Sequence, residues 1–307
     1  MNQSGFHTFF APQLKDKSLY KGYWALAAIS FFWGTTWFVS KLIVTDIPPL
    51  QMTGMRQTLA GCLLIIYYLL KGKKLPTFRE LLFHLVVGFL LLSCSNGLTT
   101  WAIKYIPSFL GALIACLMPF VLIMANVVFF KEKVKPIVYF ALLVGFTGVA
   151  VLLTSMASEM HGSNFLFGIV LSLISIGTWT SGTLISLKNK MKVDPFEGIG
   201  WQMLLGGIVL LIAAKVAGQH VELVSIPAKA WIGFLYLTFV GSILCFICYL
   251  YALKTLPMSL VSIYVYINPI VALLLGVFIL NELITVQIVI GILITFAGIY
   301  MVKKFSS

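Results

Sequence analysis

Charge is scarce in this chain, and acidic charge is scarcest: only 9 of 307 residues are Asp or Glu, and charged residues together make up 10%. None of the acids falls in the middle of an apolar run. Asp16, Asp46, Glu80, Glu132, Glu159, Asp194, Glu197, Glu222 and Glu282 all sit in polar connections or at the ends of runs. A proton relay through a buried carboxylate therefore has no support. Catalytic signatures are missing as well. Gly-x-x-x-x-Gly-Lys-Ser/Thr is absent, which removes ATP-driven work through a P-loop. His-Glu-x-x-His, Gly-x-Ser-x-Gly and a His-rich loop are absent too, so an enzyme acting on lipids lacks its parts. No connection is long enough to fold by itself. The 5 cysteines, Cys62, Cys94, Cys116, Cys245 and Cys248, all lie inside apolar runs. Cys245-x-x-Cys248 has the spacing of a redox or zinc pair, but it has no second ligand pair and reads as packing by small hydrophobes. No metal and no cofactor is expected.

What the chain does have is apolar length. It is 60% hydrophobic with a mean hydropathy of +1.03, far from soluble usage. A membrane-spanning helix needs about 20 apolar residues. Ten windows qualify: 22–44, 50–70, 82–103, 108–130, 136–155, 166–187, 196–217, 229–252, 258–281 and 285–302. These runs are continuous, whereas strands of a membrane barrel alternate over about 10 residues. The expected fold is an all-α integral membrane protein with ten transmembrane helices. Residues 1–21 have no apolar core and read as an N-terminal cytoplasmic segment, not a signal peptide.

The net charge of +12 invites a nucleic-acid reading, but its placement points elsewhere. With the N-terminus inside, inner connections and termini hold 16 Lys and Arg and outer ones hold 4. That bias is the positive-inside pattern. Both termini are expected in the cytoplasm, the lipid bilayer is the surrounding partner, and no nucleic acid is.

The chain is also duplicated. Trp101-Ala102-Ile103-Lys104-Tyr105-Ile106-Pro107 matches Tyr251-Ala252-Leu253-Lys254-Thr255-Leu256-Pro257 at an offset of 150. Pro119 then falls on Pro269, Glu132 on Glu282 and Gly148 on Gly298. Earlier positions align at 146: Trp33 with Trp179, Pro49 with Pro195, Gly54 with Gly200, Arg56 with Gln202 and Gly61 with Gly207. The two repeats run over 22–155 and 166–304, with an outside linker at 156–165. Each holds five spans, an odd number, so they lie inverted with respect to each other. A 5+5 inverted repeat is an architecture of secondary transporters, with the solute site at mid-membrane between the repeats.

These residues carry a family resemblance. Trp33-Gly34 in the first span, Arg56 in the second, Tyr251-Ala252-Leu253 ending the eighth, and Pro269, Glu282 and Gly291 in the last two resemble the drug/metabolite transporter superfamily. The similarity is to its group built from two EamA-type domains, and it covers almost the whole chain. It implies a cavity lined by spans 1–4 and 6–9, with spans 5 and 10 at the periphery. It also implies movement driven by a gradient and not by ATP.

Candidate site residues follow from polar or ionisable groups at membrane depth. Arg56 is the one charge well inside a span, about 9 Å from its start. It reads either as an anion hook, since its fork suits a carboxylate or phosphate, or as a side chain reaching back to headgroups or a neighbour. Glu282 ends its span on the same side, so an Arg56–Glu282 latch is expected at the outer gate, with Gln202–Glu132 as the inner counterpart. Both glutamates read equally as helix ends. Pro119 and Pro269 sit near span centres and free the carbonyls of Ala115 and Val265, which suits a pair of hinges or simple packing. Trp33, Trp37, Asn96, Thr100, Trp179, Tyr249, Tyr266 and Asn268 are the expected cavity lining. The competing role for the polar ones is interhelical glue.

The expected function is secondary transport of a small organic solute, such as an amino acid or nucleoside-like metabolite. Export is the expected direction, through the bacterial cytoplasmic membrane, by rocking of two five-helix bundles about a central chamber. The residues name no proton or other coupling ion. The readings weighed against transport are a membrane-embedded lipid-modifying enzyme and a non-transporting scaffold.

Overall fold

The computed structural model describes residues 16–131, 134–157, 163–188, 194–282 and 284–305. Ten helical crossings make up the described chain. They are α1 (Asp16–Ile43), α2 (Pro49–Leu70), α3 (Phe78–Ala102), α4 (Ser108–Ala115 continued by Met118–Phe130), α5 (Pro136–Ala157), α6 (Ser163–Lys188), α7 (Pro195–Val216), α8 (Ala228–Thr255), α9 (Met258–Val261 continued by Tyr264–Leu280) and α10 (Val286–Phe305). No strand occurs among the described residues.

The helix ends have local causes. Pro49 and Pro195 occupy the first turns of α2 and α7, where the missing N–H is no loss. Asp194 caps α7 by accepting from Phe196 N at 3.0 Å. Thr77 and Glu80 form a reciprocal capping box at the start of α3, satisfying two otherwise unpaired backbone donors. Chain reversal after α2 and α7 uses Gly72 and Gly218, both at positive φ. Lys131 after α4 and Asn281 after α9 both take φ 54°. These caps recur at offsets of 146 and 150, so the backbone repeats even where the side chains do not.

The repeat is a unit of sequence and not a unit of packing. α1 packs on α8 and α9 of the second repeat, while α6 packs on α3 and α4 of the first. Each repeat thus lends its first helix to the other, giving two three-helix groups, α1–α8–α9 and α6–α3–α4. The remaining helices pair with their own counterparts, α2 with α7 and α5 with α10.

Those counterpart pairs are close because glycine lines them. A Cβ on Gly61 would strike the backbone N of Leu204, and one on Gly207 would strike Thr58. In α5–α10, Gly148 faces Thr295 N and Gly298 faces Gly145 N. Small residues at helix contacts are how membrane helices gain dispersion energy without a hydrophobic drive. Large apolar side chains such as Phe129, Leu143, Phe278 and Leu293 face outward, as a bilayer requires.

Both ends of the α2–α7 pair are tied to loops. Gln51 donates to Val221 O (2.8 Å) and accepts from Val221 N (2.7 Å). At the opposite end its repeat counterpart, Glu197, holds Lys73 at 2.6 Å. The Glu197 hydrogen bond keeps the Lys73 ammonium protonated to higher pH than an ordinary lysine, with Asp194 adding to the effect. On the lysine side the tie is therefore intact at neutral pH and is lost as pH rises through that raised range.

Candidate functional site

A cavity of about 180 Å³ lies between the two three-helix groups. Its wall takes side chains from α1, α2, α3, α4, α6, α8 and α9, and none from α5, α7 or α10. Of the eight residues expected from sequence to line it, Trp33, Trp37, Asn96, Thr100, Trp179 and Asn268 are on the wall. Tyr249 and Tyr266 are not. Tyr249 stands behind Trp33, ring centroids 5.4 Å apart, and Tyr266 packs on Phe296 of α10 at 6.4 Å. A tyrosine two positions before Tyr266 takes their place: Tyr264 is on the wall and meets Trp33 at 5.2 Å. Tyr264 stands one helical turn before Asn268 in the same helix and shares its face, whereas Tyr266, two residues from Asn268, points about 200° away around the helix.

Glue and lining are not exclusive here. Trp33 Nε1 donates to Gly241 O at 3.0 Å, and Thr99 Oγ1 meets Ser175 Oγ at 2.6 Å. With its amide nitrogen turned to the carbonyls, Asn268 donates to Ser30 O at 2.7 Å. These bonds join helices within one group and leave the rings and methyl groups facing the space.

Arg56 is different. It sits on the cavity wall and is only 7% exposed. Nη2 donates to Asn96 Oδ1 at 3.4 Å, beyond the usual 2.7–3.2 Å range, and Nε has no partner. Among the described residues no carboxylate lies within 4.0 Å of it. Removing the partner of a buried ion costs about 3–5 kcal/mol, so an unneutralised guanidinium here is an expensive feature to keep.

The expected Arg56–Glu282 latch is not formed. Glu282 Oε1 instead accepts from Ser108 N (2.8 Å) and Ser108 Oγ (3.1 Å) at the start of α4, where the helix terminus favours an anion. Gln202 Nε2 lies 3.5 Å from His84 Nδ1, and Glu132 lies outside the described residues. A second basic residue takes the role at the rim: Lys41 Nζ donates to Ile103 O (2.7 Å) and Ile106 O (2.8 Å). Trp37 rests on Gly111, where a Cβ would come within 2.8 Å of its ring. Lys41, Glu282 and Trp37 all bridge α1 or the end of α9 to the α3–α4 corner. All three lie toward the face opposite the termini.

Both α4 and α9 are broken, one turn apart in the repeat frame. α4 turns at 116–117, just before Pro119, and α9 turns at 262–263, well ahead of Pro269. The carbonyl that Pro269 frees, Val265 O, accepts from Cys116 Sγ at 2.9 Å. Less expected are two π-helical stretches of 8 residues, Phe89–Asn96 in α3 and Leu237–Leu244 in α8. Such wide turns are rare and concentrate at functional sites. Their displaced carbonyls serve the cavity: Leu91 O takes Asn96 Nδ2 at 3.0 Å, and Gly241 O takes Trp33 Nε1. Proline marks the break in α4, while Pro269 lies inside the helix that follows the break in α9. In α3 only the run of small polar residues Ser93–Gly97 hints at a wide turn, and no proline announces it.

Comparison with known proteins places this arrangement. Residues 20–154 and 166–303 each match the EamA-like transporter family. YedA, an uncharacterized inner membrane transporter of Escherichia coli (strain K12), is 34% identical over 257 residues, covering 82% of this chain and 80% of that protein. YvbV, an uncharacterized transporter of Bacillus subtilis (strain 168), is 27% identical over 91% of this chain and 90% of its own. Protein PecM of Dickeya dadantii (strain 3937) is 25% identical over 89% of each. A crystal structure 15% identical in sequence superposes with a TM-score of 0.63 over 95% of this chain and 99% of that one, a likeness of fold.

Proposed function

Because the chain belongs to the EamA-like transporter family and is a multi-pass membrane transporter, we propose that it moves a small organic metabolite by gradient-driven alternating access. The observation that carries this reading is the cavity between the two exchanged helix groups, walled by Trp33, Trp37 and Trp179 with neutral hydroxyls and amides between them. Its volume of about 180 Å³ is below the roughly 300–1,000 Å³ of pockets for drug-sized ligands. A solute the size of an amino acid or a nucleoside-like metabolite suits it, and larger amphiphiles do not. The excess of Lys and Arg on the termini side supports a cytoplasmic location for both ends, and export is the direction proposed.

In the mechanism, the groups α1–α8–α9 and α6–α3–α4 tilt against each other while the glycine-packed pairs α2–α7 and α5–α10 stay fixed. The breaks at 116–117, next to Pro119, and at 262–263, the helix interior at Pro269, and the π-helical stretches of α3 and α8 are the flex points. All are already short of regular backbone hydrogen bonds, so bending there costs little more.

Vesicles reconstituted with the purified chain should pass a candidate amino acid or nucleoside down an imposed gradient. Trp179→Ala should weaken uptake roughly tenfold or more, because a lost aromatic wall is worth about a kcal/mol or more beyond its area. Melting temperature should fall as well, because the indole packs against the cluster holding Leu64, Leu92 and Met203, so uptake is compared per folded protein. Trp33→Ala should weaken uptake as well, and also loosen α1 from Gly241. Absence of flux under every gradient would favour the scaffold reading. Chemical conversion of vesicle lipid would favour the enzyme one.

A further inference from the structure

Arg56 holds a charge that nothing else on the wall answers. A guanidinium has five N–H donors in a rigid planar fork. Among the described residues this one makes a single long bond, to Asn96 at 3.4 Å, and its Nε has no partner. The side chain is 7% exposed and borders the cavity, so the missing acceptor has room on that side. A buried cation of this kind is well placed only when an anion sits against it.

The rest of the wall narrows the choice of anion. Trp33, Trp37 and Trp179 offer ring faces to a flat apolar body, and no lysine or second arginine lies among the lining residues. One guanidinium matches one carboxylate, in charge and in bidentate geometry. A phosphate ester near neutral pH would keep much of its second charge unanswered. Resting on the transport reading above, we propose that Arg56 and Asn96 form a carboxylate subsite, and that the solute is a small organic acid or amino acid with an apolar or aromatic body. A nucleoside offers this fork only neutral acceptors and leaves its charge unanswered.

The test uses the full chain in detergent, intrinsic tryptophan fluorescence as the readout, and three probes with one body. These are 3-phenylpropionate, 3-phenylpropanol and 3-phenylpropylamine. The acid should bind saturably and about ten- to a hundredfold more tightly than the alcohol or the amine, the range that hydrogen bonds to a charged group supply. Arg56→Gln should erase that preference. Asn96→Asp places a carboxylate beside the guanidinium and should also erase it, with loss of the Asn96 Nδ2 bond to Leu91 O. A residue that merely packs would not make the preference depend on the charge of the probe. The subsite falls if the acid response does not saturate or if another probe binds as tightly as the acid. It falls equally if the preference survives in Arg56→Gln or, where that variant does not fold, in Asn96→Asp. Binding needs no flux, so acid preference in a chain that passes no solute would keep the subsite and remove transport. Flux without acid preference would do the reverse.

Discussion

Leucine at Gly61 or Gly207 stops the chain from accumulating as a folded monomer, whereas alanine at Gly177 leaves it intact. At Gly61 the first added carbon already meets Leu204 N and lies 2.8 Å from Gly200 O. At Gly207 it meets the Thr58 hydroxyl and backbone N. Backbone atoms cannot rotate away, so α2 and α7 must separate. Overpacking in a tight core costs about 1–3 kcal/mol even where side chains can adjust. Losing a whole helix–helix contact costs more, against a total stability of about 5–15 kcal/mol. Gly177 has nothing within 4 Å of its added Cβ, and replacing a helical glycine by alanine gains about 1 kcal/mol in propensity. Size-exclusion profiles and melting curves in detergent check this. A sharp, unshifted peak for Gly61→Leu would show that α2 and α7 do not pack as described.

Much of this was legible in the sequence for a physical reason. A bilayer leaves backbone polar groups no partner but the helix itself, so ten long apolar runs mean ten helices. Prolines and glycines at fixed offsets show the inversion. Trp33, Trp37, Trp179, Asn96, Thr100 and Asn268 could be placed from depth alone, since polar or aromatic side chains that deep must face protein or a cavity. Helix facing separates the tyrosines: Tyr264 and Asn268 are four residues apart on one face of α9, while Tyr266 lies between them and turns to Phe296 of α10. Tyr249 lies nearly a turn beyond Phe246, a wall residue of α8, and packs behind Trp33. Partner choice was less legible still. Arg56 and Glu282 share a side of the membrane, but the exposed N–H groups at the start of α4 compete for the carboxylate. Exchange of α1 and α6 between repeats leaves no trace in composition at all.

The double variant Lys41→Met, Glu282→Gln opens the cavity toward the face opposite the termini. Lys41 holds two carbonyls, Ile103 O and Ile106 O, at 2.7 and 2.8 Å. Glu282 holds the N–H and hydroxyl of Ser108. Both side chains join the α1–α8–α9 group to the α3–α4 corner, so both must release when the groups part at that end. Hydrogen bonds to charged groups are worth roughly 1.5–3 kcal/mol each. Losing both moves a two-state equilibrium by tenfold at the least, and by more than a hundredfold if the two add. Ser40, buried on the cavity wall just below Lys41, reports it. Ser40→Cys should react with a membrane-impermeant thiol reagent at least about tenfold faster from that face in the double variant. An unchanged rate would mean that these ties trim helix ends and do not hold the cavity shut.

The most direct test of alternating access is the reach of a single cavity thiol. With the five native cysteines changed to serine, Ala112→Cys puts one thiol on the α4 wall of the cavity, at a position that is 2% exposed. An impermeant methanethiosulfonate added to one side of sealed vesicles, and in a separate sample to the other, should modify it from both. Modification from one face alone, or from neither, would contradict a chamber that opens in turn to each side of the membrane.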